Sequence, residues 1–409
     1  MLAMISVQEA LKITLENSSK IGEERTPVTE AAGFILAENI VSNIDLPPFN
    51  KASMDGYALK AKDSVNAPVV LEVIGMIPAG VVSDLTVNEG QVVKIMTGAP
   101  VPEGADCVQM IEKTEAAGKN RVRILESVTK GKNIAEKREV IKKNQKVFEK
   151  GTYLSPAVIA VLSAFGKAAI KIYRRPEVSI IVTGDEIVDI EQNPNAGQIR
   201  NSNGYALFHQ VRQAGGMPKL LGIAKDNIED LRPIIARGIK SDVLLISGGV
   251  SMGDFDFVED AMAEFNIKIY YDQVNVKPGK PTVFGKINNT LVFGLPGNPV
   301  SASTIFELIV RPAIRKILGF ANLNHITTQA ILKEDFSSKT KRENYQPAYS
   351  YLADNIFYTT PLKSKGSADI LAFSKSNSYI KTSESQTEFK TGEKVTILLR
   401  DEFWRNHLL

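Results

Sequence analysis

The chain has 409 residues, of which 44% are hydrophobic and 23% charged, a composition typical of a soluble globular protein and unlike that of a disordered or coiled-coil chain. Its 49 Lys and Arg residues nearly balance its 46 Asp and Glu residues, so the charge gives no support for bulk nucleic-acid binding. Cys107 is the single cysteine, which excludes an intrachain disulfide and a cysteine-based zinc or iron–sulfur site and fits a reducing compartment.

The N-terminal segment predicts an amphipathic helix and not a signal peptide. Ser6 and Glu9 have the spacing of a capping box, and no basic segment or cleavage motif precedes them. The apolar side of the expected helix consists of Val7, Ala10, Leu11, Thr14 and Leu15. The longest apolar stretch, residues 156–166, is too short to span a bilayer. We therefore expect no membrane partner and a cytoplasmic location.

Short apolar segments alternate with helical patterns from residue 177 to 319, which is typical of βαβ units on a parallel sheet. Segments 44–132 and 327–400 instead show short strands separated by Gly, Pro or Asn turns, and segments 23–41 and 144–175 are expected to pair with each other. The fold class predicted is multidomain α/β, with a mostly parallel central sheet, two β-rich domains and a connecting domain. The predicted domains are residues 1–43 and 140–176 (N-terminal helix and connecting domain), 44–139 (β-rich insert), 177–320 (α/β domain) and 321–409 (C-terminal β-rich domain).

The loops that follow the strands of the α/β domain are the candidate site, because ligands of open α/β sheets bind beyond the carboxyl ends of the strands. These loops are "TGDEI" (183–187), the turn at Asp226, "SGGVSMGDFD" (247–256), "KPGKP" (277–281) and "LPGNPVS" (295–301). In the last loop, Asn298 is predicted to be the N-cap of a helix whose first residue is Pro299.

The glycine-rich loop and the lysine turn both predict an anion ligand. The groups of the glycine-rich loop able to face an anion are Ser247, Gly248, Gly249, Ser251 and Gly253. In the turn "KPGKP", Lys277 and Lys280 each precede a proline, so two cations stand on a backbone of restricted conformation. A single glycine-rich turn is also explained by tight turn geometry, but five such loops at one sheet edge favour a ligand site.

Carboxylates in the same loops predict a Mg²⁺ site, because oxygen ligands beside phosphate are how Mg²⁺ is usually held. The candidates are Asp185, Glu186, Asp226, Asp254 and Asp256. Asp226 and Asp254 each precede a helix, so helix capping is an alternative role for these two. Other chemistries lack their motifs, since the three histidines have no partner at metal spacing and no G-x-S-x-G elbow, P-loop or nicotinamide fingerprint is present.

These loops, together with "LPPFNKASMDGYA" (46–58), "KIMTGAPVPEGAD" (94–106) and "GQIRNSN" (197–203), closely resemble the molybdopterin molybdenumtransferase family of bacterial MoeA and the gephyrin E-domain. The likeness covers essentially the whole chain, in order. It implies a molybdopterin-binding fold for the α/β domain, an elongated connecting domain and a β-barrel-like C-terminal domain. The activity it implies is the insertion of molybdate into adenylylated molybdopterin, with dependence on Mg²⁺ and release of AMP.

The resemblance also implies roles for individual residues. The implied molybdate-binding residues are Lys277, Lys280, Pro281, Arg342, Ser367 and Ser251. The implied catalytic residues are Asp55, Thr97, Glu186, Asp226 and Asp256, and the last three are also the implied metal ligands. The implied pterin- and nucleotide-binding residues are Thr183, Gly184, Asp185, Ser247, Gly248, Gly249, Pro296, Gly297, Asn298 and Pro299. Asp55 and Thr97 are expected to complete the active site of the partner subunit in a homodimer, and the pathway's adenylyltransferase and recipient molybdoenzymes are further expected partners.

The chain departs from the family pattern at several positions, which leaves the docking of the pterin open. The departures are Ala135, Arg138, Val140, Lys341, Pro347, Asn201 and Asn227. The first three replace an Arg, a Gly and an acidic residue at the end of the β-rich insert. Lys341 replaces a leading Gly and Pro347 a second Arg of one motif, and the two asparagines stand where aspartate is frequent. Two alternatives to the transferase remain, namely a scaffold protein that keeps the fold and a pterin adenylyltransferase of the same pathway. The choice between molybdate and tungstate is also open.

Overall fold

The computed structural model describes residues 3–250, 257–338 and 340–404, apart from the side chain of Glu402. Its α-helices are α1 (Val7–Asn17), α2 (Pro156–Ala164), α3 (Asn203–Ala214), α4 (Ile228–Gly238), α5 (Val258–Glu264), α6 (Pro299–Ile305), α7 (Arg311–Ile317) and α8 (Ile370–Ser374). A π-helical turn, Phe306–Val310, joins α6 to α7, and short 3₁₀ helices occupy Val28–Glu30, Ala61–Ser64, Ile111–Lys113 and Asp401–Trp404. Within the described ranges, no helix has the length and apolar character needed to cross a membrane.

The strands are short, and most of them belong to three sheets. They are β1 (Glu23–Pro27), β2 (Ile40–Val41), β3 (Lys51–Ala52), β4 (Gly56–Leu59), β5 (Val69–Ile77), β6 (Gln91–Ile95), β7 (Cys107–Met110), β8 (Thr114–Ala116), β9 (Arg121–Ile124), β10 (Ile134–Ala135), β11 (Lys146–Phe148), β12 (Ala169–Tyr173), β13 (Glu177–Thr183), β14 (Ile187–Val188), β15 (Ile199–Arg200), β16 (Met217–Ala224), β17 (Val243–Ser247), β18 (Lys268–Gln273), β19 (Val276–Lys277), β20 (Pro281–Ile287), β21 (Thr290–Leu295), β22 (Thr327–Leu332), β23 (Phe336–Ser337), β24 (Glu343–Ala353), β25 (Ile356–Pro361), β26 (Ser378–Thr382), β27 (Glu388–Phe389) and β28 (Lys394–Leu399).

The chain divides into two compact units. The larger unit comprises the residues up to Ala37, Tyr153–Pro156 and the residues from Ala169 onward, and the smaller unit comprises Glu38–Thr152 and Ala157–Ala168. In the smaller unit, strands of the β-rich insert form one sheet in the order β7-β4-β6-β5-β9-β8, and β2–β11 and β3–β10 form two separate two-stranded sheets. In the larger unit, β1 pairs with β12 in antiparallel register. The pairing expected between the segments that flank the insert is therefore confirmed by β1–β12 and β2–β11.

The N-terminal helix forms as its capping box predicts. The side-chain oxygen of Ser6 accepts a hydrogen bond of 3.1 Å from the backbone N–H of Glu9, which satisfies one of the free donors at the helix start. The buried positions of α1 are Val7, Ala10 and Thr14. Leu11 and Leu15, expected on the same side, are half-buried.

The central sheet of the larger unit has the strand order β16-β13-β17-β21-β20-β18. Its first four strands are parallel and the last two are antiparallel to their neighbours, so the predicted mostly parallel sheet is confirmed. Both faces are covered, because successive residues of β13 enter different cores. Ile180 packs in the cluster formed with α1, α3, α6 and α7, whereas Ile181 packs in the cluster formed with α4 and α5.

The C-terminal sheet of the larger unit closes into a barrel. Strands β24, β25, β22, β28 and β26 pair in that order, and β26 pairs again with β24. The two-residue strand β19, which opens the lysine turn, adds to this barrel by pairing in parallel with the start of β24, with Val276 opposite Glu343 and Lys277 opposite Asn344. The lysine turn is therefore held between the central sheet and the barrel.

Candidate active site

Asp226 lies at the carboxyl end of β16, where its side chain is available to a ligand. The residue that caps α4 is Asn227, whose side-chain oxygen accepts a hydrogen bond of 2.8 Å from the backbone N–H of Asp230. The capping alternative is therefore wrong for Asp226. Its backbone N–H instead donates to Oδ1 of Asp185 at 3.3 Å, which joins the turn after β16 to the turn after β13.

The surroundings of Asp226 favour a bound cation. Burial raises the pKa of the Asp226 carboxyl, and the nearby carboxylates of Asp185 and Glu186 raise it further, although the Thr183 hydroxyl acts in the opposite direction. Thr183 is 5% exposed, and its Oγ1 has no partner at good hydrogen-bond geometry among the described residues. A divalent cation would neutralise the excess negative charge and would offer this oxygen a partner.

The glycine-rich turn after β17 is shaped by close packing against Thr183. Gly248 has φ of +105°, and a Cβ on it would lie 2.5 Å from the backbone oxygen of Thr183. The backbone N–H of Gly248 donates to the oxygen of Leu295 at 3.0 Å. The expectation that this N–H faces an anion is therefore wrong, because the N–H joins the turn to the neighbouring strand. Ser251, Gly253, Asp254 and Asp256 lie outside the described residues.

A cavity of about 690 Å³, here called the acidic cavity, opens at this edge of the central sheet. The predicted residues that line it are Thr183, Glu186, Asp226, Ser247, Gly248, Gly249, Pro281, Pro296, Gly297, Asn298 and Pro299. Gly184 and Asp185 do not line it, since the Gly184 N–H donates to the Ala224 oxygen and Asp185 supports the Asp226 turn. Within residues 3–250, 257–338 and 340–404, no three His, Cys, Asp or Glu side chains are grouped to hold a metal ion.

A second cavity of about 500 Å³, here called the lysine cavity, lies between the lysine turn and the barrel. The predicted residues Lys277, Lys280, Pro281, Arg342 and Ser367 all line it. Nη1 of Arg342 donates to the backbone oxygen of Val276 at 3.0 Å, which fixes the guanidinium beside the turn. In the described part of the chain, neither Lys277 nor Lys280 forms an ion pair. The cavity is thus lined by positive charges that an anion can neutralise.

The two cavities adjoin, because Pro281 and Asn298 line both of them. Asn298 is the N-cap residue of α6 and Pro299 its first residue, as predicted. The Asn298 side chain is exposed and makes no capping hydrogen bond, so its amide remains available at the boundary of the two cavities. The backbone N–H of Val300 in α6 donates to the backbone oxygen of Ser367 at 3.0 Å, which joins this turn to the segment between β25 and α8.

Asp55 and Thr97 form a pair in the smaller unit. The backbone N–H and the hydroxyl of Thr97 both donate to Oδ1 of Asp55, at 2.6 and 2.7 Å. These two hydrogen bonds lower the pKa of the exposed Asp55 carboxyl, the backbone one contributing most. The structure therefore presents an ionised carboxylate of fixed orientation.

The departures from the family pattern have structural consequences that differ from one position to another. Asn201 accepts a hydrogen bond of 2.9 Å from the Gly204 N–H at the start of α3, a role that aspartate fills equally well. Pro347 is buried in β24 and lines the lysine cavity, so that wall carries no charge. Nε of Arg138 forms an ion pair with Oδ2 of Asp45 at 2.9 Å. Ala135 lies opposite Lys51 in the antiparallel pairing of β10 with β3, and Val140 is exposed.

Arg200 and Asn203 line the acidic cavity although the sequence assigned them no role. Both belong to the segment "GQIRNSN", whose resemblance to the family could have indicated them. Nε of Arg200 donates to the backbone oxygens of Ile190 and Gln192, both at 3.1 Å, so this side chain organises the neighbouring loop. A further cavity of about 740 Å³ lies between α1 and the barrel, and none of the predicted site residues lines it.

Comparisons with known proteins agree with this architecture. Residues 5–166 match the MoeA N-terminal region (domain I and II), residues 179–316 match a probable molybdopterin binding domain, and residues 329–399 match the MoeA C-terminal region (domain IV). The molybdopterin molybdenumtransferase of Staphylococcus epidermidis is 32% identical over 402 residues, covering 97% of this chain and 96% of the relative. That of Nostoc sp. is 34% identical over 409 residues, covering 97% and 94%.

A solved structure of the molybdopterin biosynthesis moeA protein from Pyrococcus horikosii superposes with a TM-score of 0.83 at 32% identity, over 97% of this chain and 99% of that one. The full-length match to relatives of this identity, together with the adjoining cavities, defines the class of the protein. The chain belongs to the molybdopterin molybdenumtransferase family.

Proposed function

We propose that this protein is the enzyme of molybdenum-cofactor biosynthesis that inserts molybdate into adenylylated molybdopterin and releases AMP. The observation that carries the proposal is the junction of the two cavities at Pro281 and Asn298. One cavity presents cations and the other presents carboxylates, a hydroxyl and tight glycine turns. An oxyanion and a nucleotide-capped pterin placed in them would meet at the shared wall, so that binding itself supplies much of the catalysis through proximity.

The lysine cavity fits molybdate. A tetrahedral dianion needs several fixed donors, since each charge-assisted hydrogen bond adds roughly 1.5–3 kcal/mol. Lys277, Lys280 and Arg342 supply the positive charge and Ser367 a hydroxyl, while Pro281 lines the wall that the two cavities share. We include Ser251 in this set from the resemblance, although it lies outside the described residues.

The acidic cavity fits the pterin and the nucleotide, with Mg²⁺ beside the phosphates. The residues that would hold the ion are Glu186 and Asp226, together with Asp256 from the resemblance, and a bound Mg²⁺ would supply charge neutralisation at the attacked phosphate. The pterin and nucleotide contacts are proposed for the predicted residues that line this cavity, namely Thr183, Ser247, Gly248, Gly249, Pro296, Gly297, Asn298 and Pro299. Gly184 and Asp185 are proposed to contribute through the turns that they support. Burial, and next the carboxylates of Asp185 and Glu186, raise the pKa of the Asp226 carboxyl, and a cation placed beside these carboxylates would offset their repulsion, which supports this assignment.

We further propose that Asp55 and Thr97 act in the active site of a partner subunit. Their fixed, ionised carboxylate is suited to orient a water molecule or a metal-bound group near the adenylyl phosphate. A homodimer, a cytoplasmic location and contacts with the pathway's adenylyltransferase and with molybdoenzymes belong to the same proposal. The four domain ranges given above also stay predictions.

The experiment that tests the function mixes purified protein with Mg²⁺, molybdate and adenylylated molybdopterin and follows AMP release together with cofactor formation. We expect AMP release that depends on molybdate. Binding of the pterin without any AMP release would support the scaffold alternative, and consumption of ATP with free molybdopterin would support the adenylyltransferase. Replacing molybdate with tungstate in the same assay measures the preference between the two oxyanions.

A further inference from the structure

Asn203, the first residue of α3, joins two of the turns that line the acidic cavity. Its Nδ2 donates to Oγ of Ser247 at 3.0 Å and to the backbone oxygen of Gly297 at 2.7 Å. The side chain is 9% exposed and lines the cavity. One amide group therefore holds the end of β17 to the turn after β21.

The orientation of this amide follows from its partners. The Gly297 carbonyl oxygen can accept a hydrogen bond and cannot donate one, so the nitrogen of the Asn203 amide must face it. The second N–H of the same nitrogen then points to Ser247, whose oxygen must accept. The hydrogen of the Ser247 hydroxyl is consequently directed away from Asn203.

Within the described ranges of the chain, the Ser247 hydroxyl hydrogen has a poor acceptor. Among the described residues, its acceptor is the Pro296 oxygen at 3.5 Å, which is long for an O–H donor. Ser247 is 1% exposed and lines the acidic cavity. A hydroxyl that is buried, already accepting and weakly donating would gain a strong hydrogen bond from an anionic oxygen in the cavity.

We infer that Asn203 is a positioning residue that orients the Ser247 hydroxyl to donate to a phosphate oxygen of the bound substrate. The inference rests on the proposed function, because that function places an adenylylated pterin in the acidic cavity. Both the pterin phosphate and the adenylyl phosphate offer such an oxygen. Asn203 itself forms and breaks no bond in the reaction.

A double-mutant cycle tests the inference. Asn203→Ala, Ser247→Ala and the double variant are compared with the wild type for kcat and KM of molybdate-dependent AMP release. If Asn203 acts through Ser247, each single variant raises KM by about tenfold and the double variant by about the same factor. Independent effects that multiply to about a hundredfold would overturn the inference, as would an Asn203→Ala variant with unchanged KM.

Controls separate positioning from folding and from the function itself. Asn377→Ala removes another buried asparagine, which is 1% exposed and bonds to the backbone of Ser350, so it should lower the melting temperature and leave KM unchanged. If Asn203→Ala does not fold, Asn203→Asp takes its place in the cycle, because it keeps the size of the side chain and loses both donors. Its KM should be raised by the factor expected for Asn203→Ala. A wild type without molybdate-dependent AMP release would reject the proposed function, whereas an active wild type with a multiplicative cycle rejects this inference alone.

The same variants identify the phosphate. Calorimetric titration with AMP should show about tenfold weaker binding to Ser247→Ala if the hydroxyl contacts the adenylyl phosphate. Unchanged AMP affinity with a raised KM for the full substrate assigns the contact to the pterin phosphate. Both results support the positioning role, and unchanged values in both measurements overturn it.

Discussion

Arg342 donates a hydrogen bond of 3.0 Å from Nη1 to the backbone oxygen of Val276, the residue directly before Lys277. The bond joins the barrel to the lysine turn beside the pairing of β19 with β24. Among the described residues the other donors of the guanidinium have no partner, and Arg342 lines the lysine cavity. The geometry of the proposed oxyanion site therefore depends on a side chain that both fixes the turn and presents charge.

Arg342→Lys should weaken molybdate binding although the charge is kept. A lysine ammonium lacks the planar fork that allows one side chain to hold the Val276 oxygen and bind an anion together. We expect Kd for molybdate to rise about tenfold in calorimetric titration. Arg121→Lys, on an exposed position of β9, is the matched control and should bind as the wild type does. Equal affinities for both variants would remove Arg342 from the site.

Lys280→Ala should weaken molybdate binding more strongly and leave the fold intact. The Lys280 ammonium group forms no ion pair with the described residues. Its removal therefore leaves no buried carboxylate among them unpaired, and the fold should stay intact. Loss of one charge-assisted contact of roughly 1.5–3 kcal/mol corresponds to about a 10- to 150-fold rise in Kd. Lys12→Ala, on an α1 side chain that is 74% exposed, serves as control in the same titration. Wild-type affinity in Lys280→Ala would place the oxyanion elsewhere.

Asp226→Asn should stabilise the protein at neutral pH. Burial and the Asp185 and Glu186 carboxylates raise the pKa of Asp226 above its ordinary value of 3.8, so the folded state binds this proton more tightly than the unfolded state does. Stability is therefore lost as the pH rises from 3.8 through the raised pKa, and the loss persists at pH 7. The variant should melt above the wild type at pH 7, with a difference that shrinks as the pH falls toward 3.8.

Mg²⁺ should raise the melting temperature of the wild type and have little effect on Asp226→Asn. The ion would neutralise the charge that the substitution removes, and a ligand that binds the folded state stabilises it. The measurement is a pair of thermal melts at pH 7 with and without Mg²⁺. The same shift in both proteins would show that the ion binds without this carboxylate.

Thr97→Val should reduce AMP release without removing the charge of Asp55. The variant loses one of the two hydrogen bonds to Oδ1, which raises the pKa of Asp55 toward 3.8, still far below neutral pH. The carboxylate thus stays ionised at pH 7 and loses orientation. Thr97→Ser keeps the hydroxyl and should restore kcat, whereas equal kcat in the valine, serine and wild-type proteins would exclude a role for this hydrogen bond.

The α/β part of the fold follows directly from the order of the sequence. Residues 177–183 are apolar enough to be buried on both faces, and Gly215 follows the helical pattern of α3 at the position where a left-handed residue ends it, with φ of 98°. Such local signals depend on neighbours in the chain. They predicted the strands, the helices and the loops that carry the site.

The pairs that hold the site together are not local, and the sequence did not predict them. Strand β19 has two residues, which is too short for a periodic signal, yet its pairing with β24 helps to bring Lys277 and Arg342 to the same cavity. Asp226 and Asn227 are both good capping residues, so sequence preference does not distinguish them, and Asn227 proved to be the cap. The same applies to Gly248, whose N–H bonds to Leu295 in the neighbouring strand.

The sequence by itself determined the class of fold, the family and the loops that carry the two cavities, because hydrophobic periodicity, turn chemistry and motif order depend on residues that are close in the chain. Tertiary structure decided which polar groups remain free for a ligand. Whether a polar group is free depends on hydrogen bonds between segments distant in the chain, such as that from Asn203 to Gly297. Each such bond occupies a donor, and the sequence alone does not show which donors are occupied.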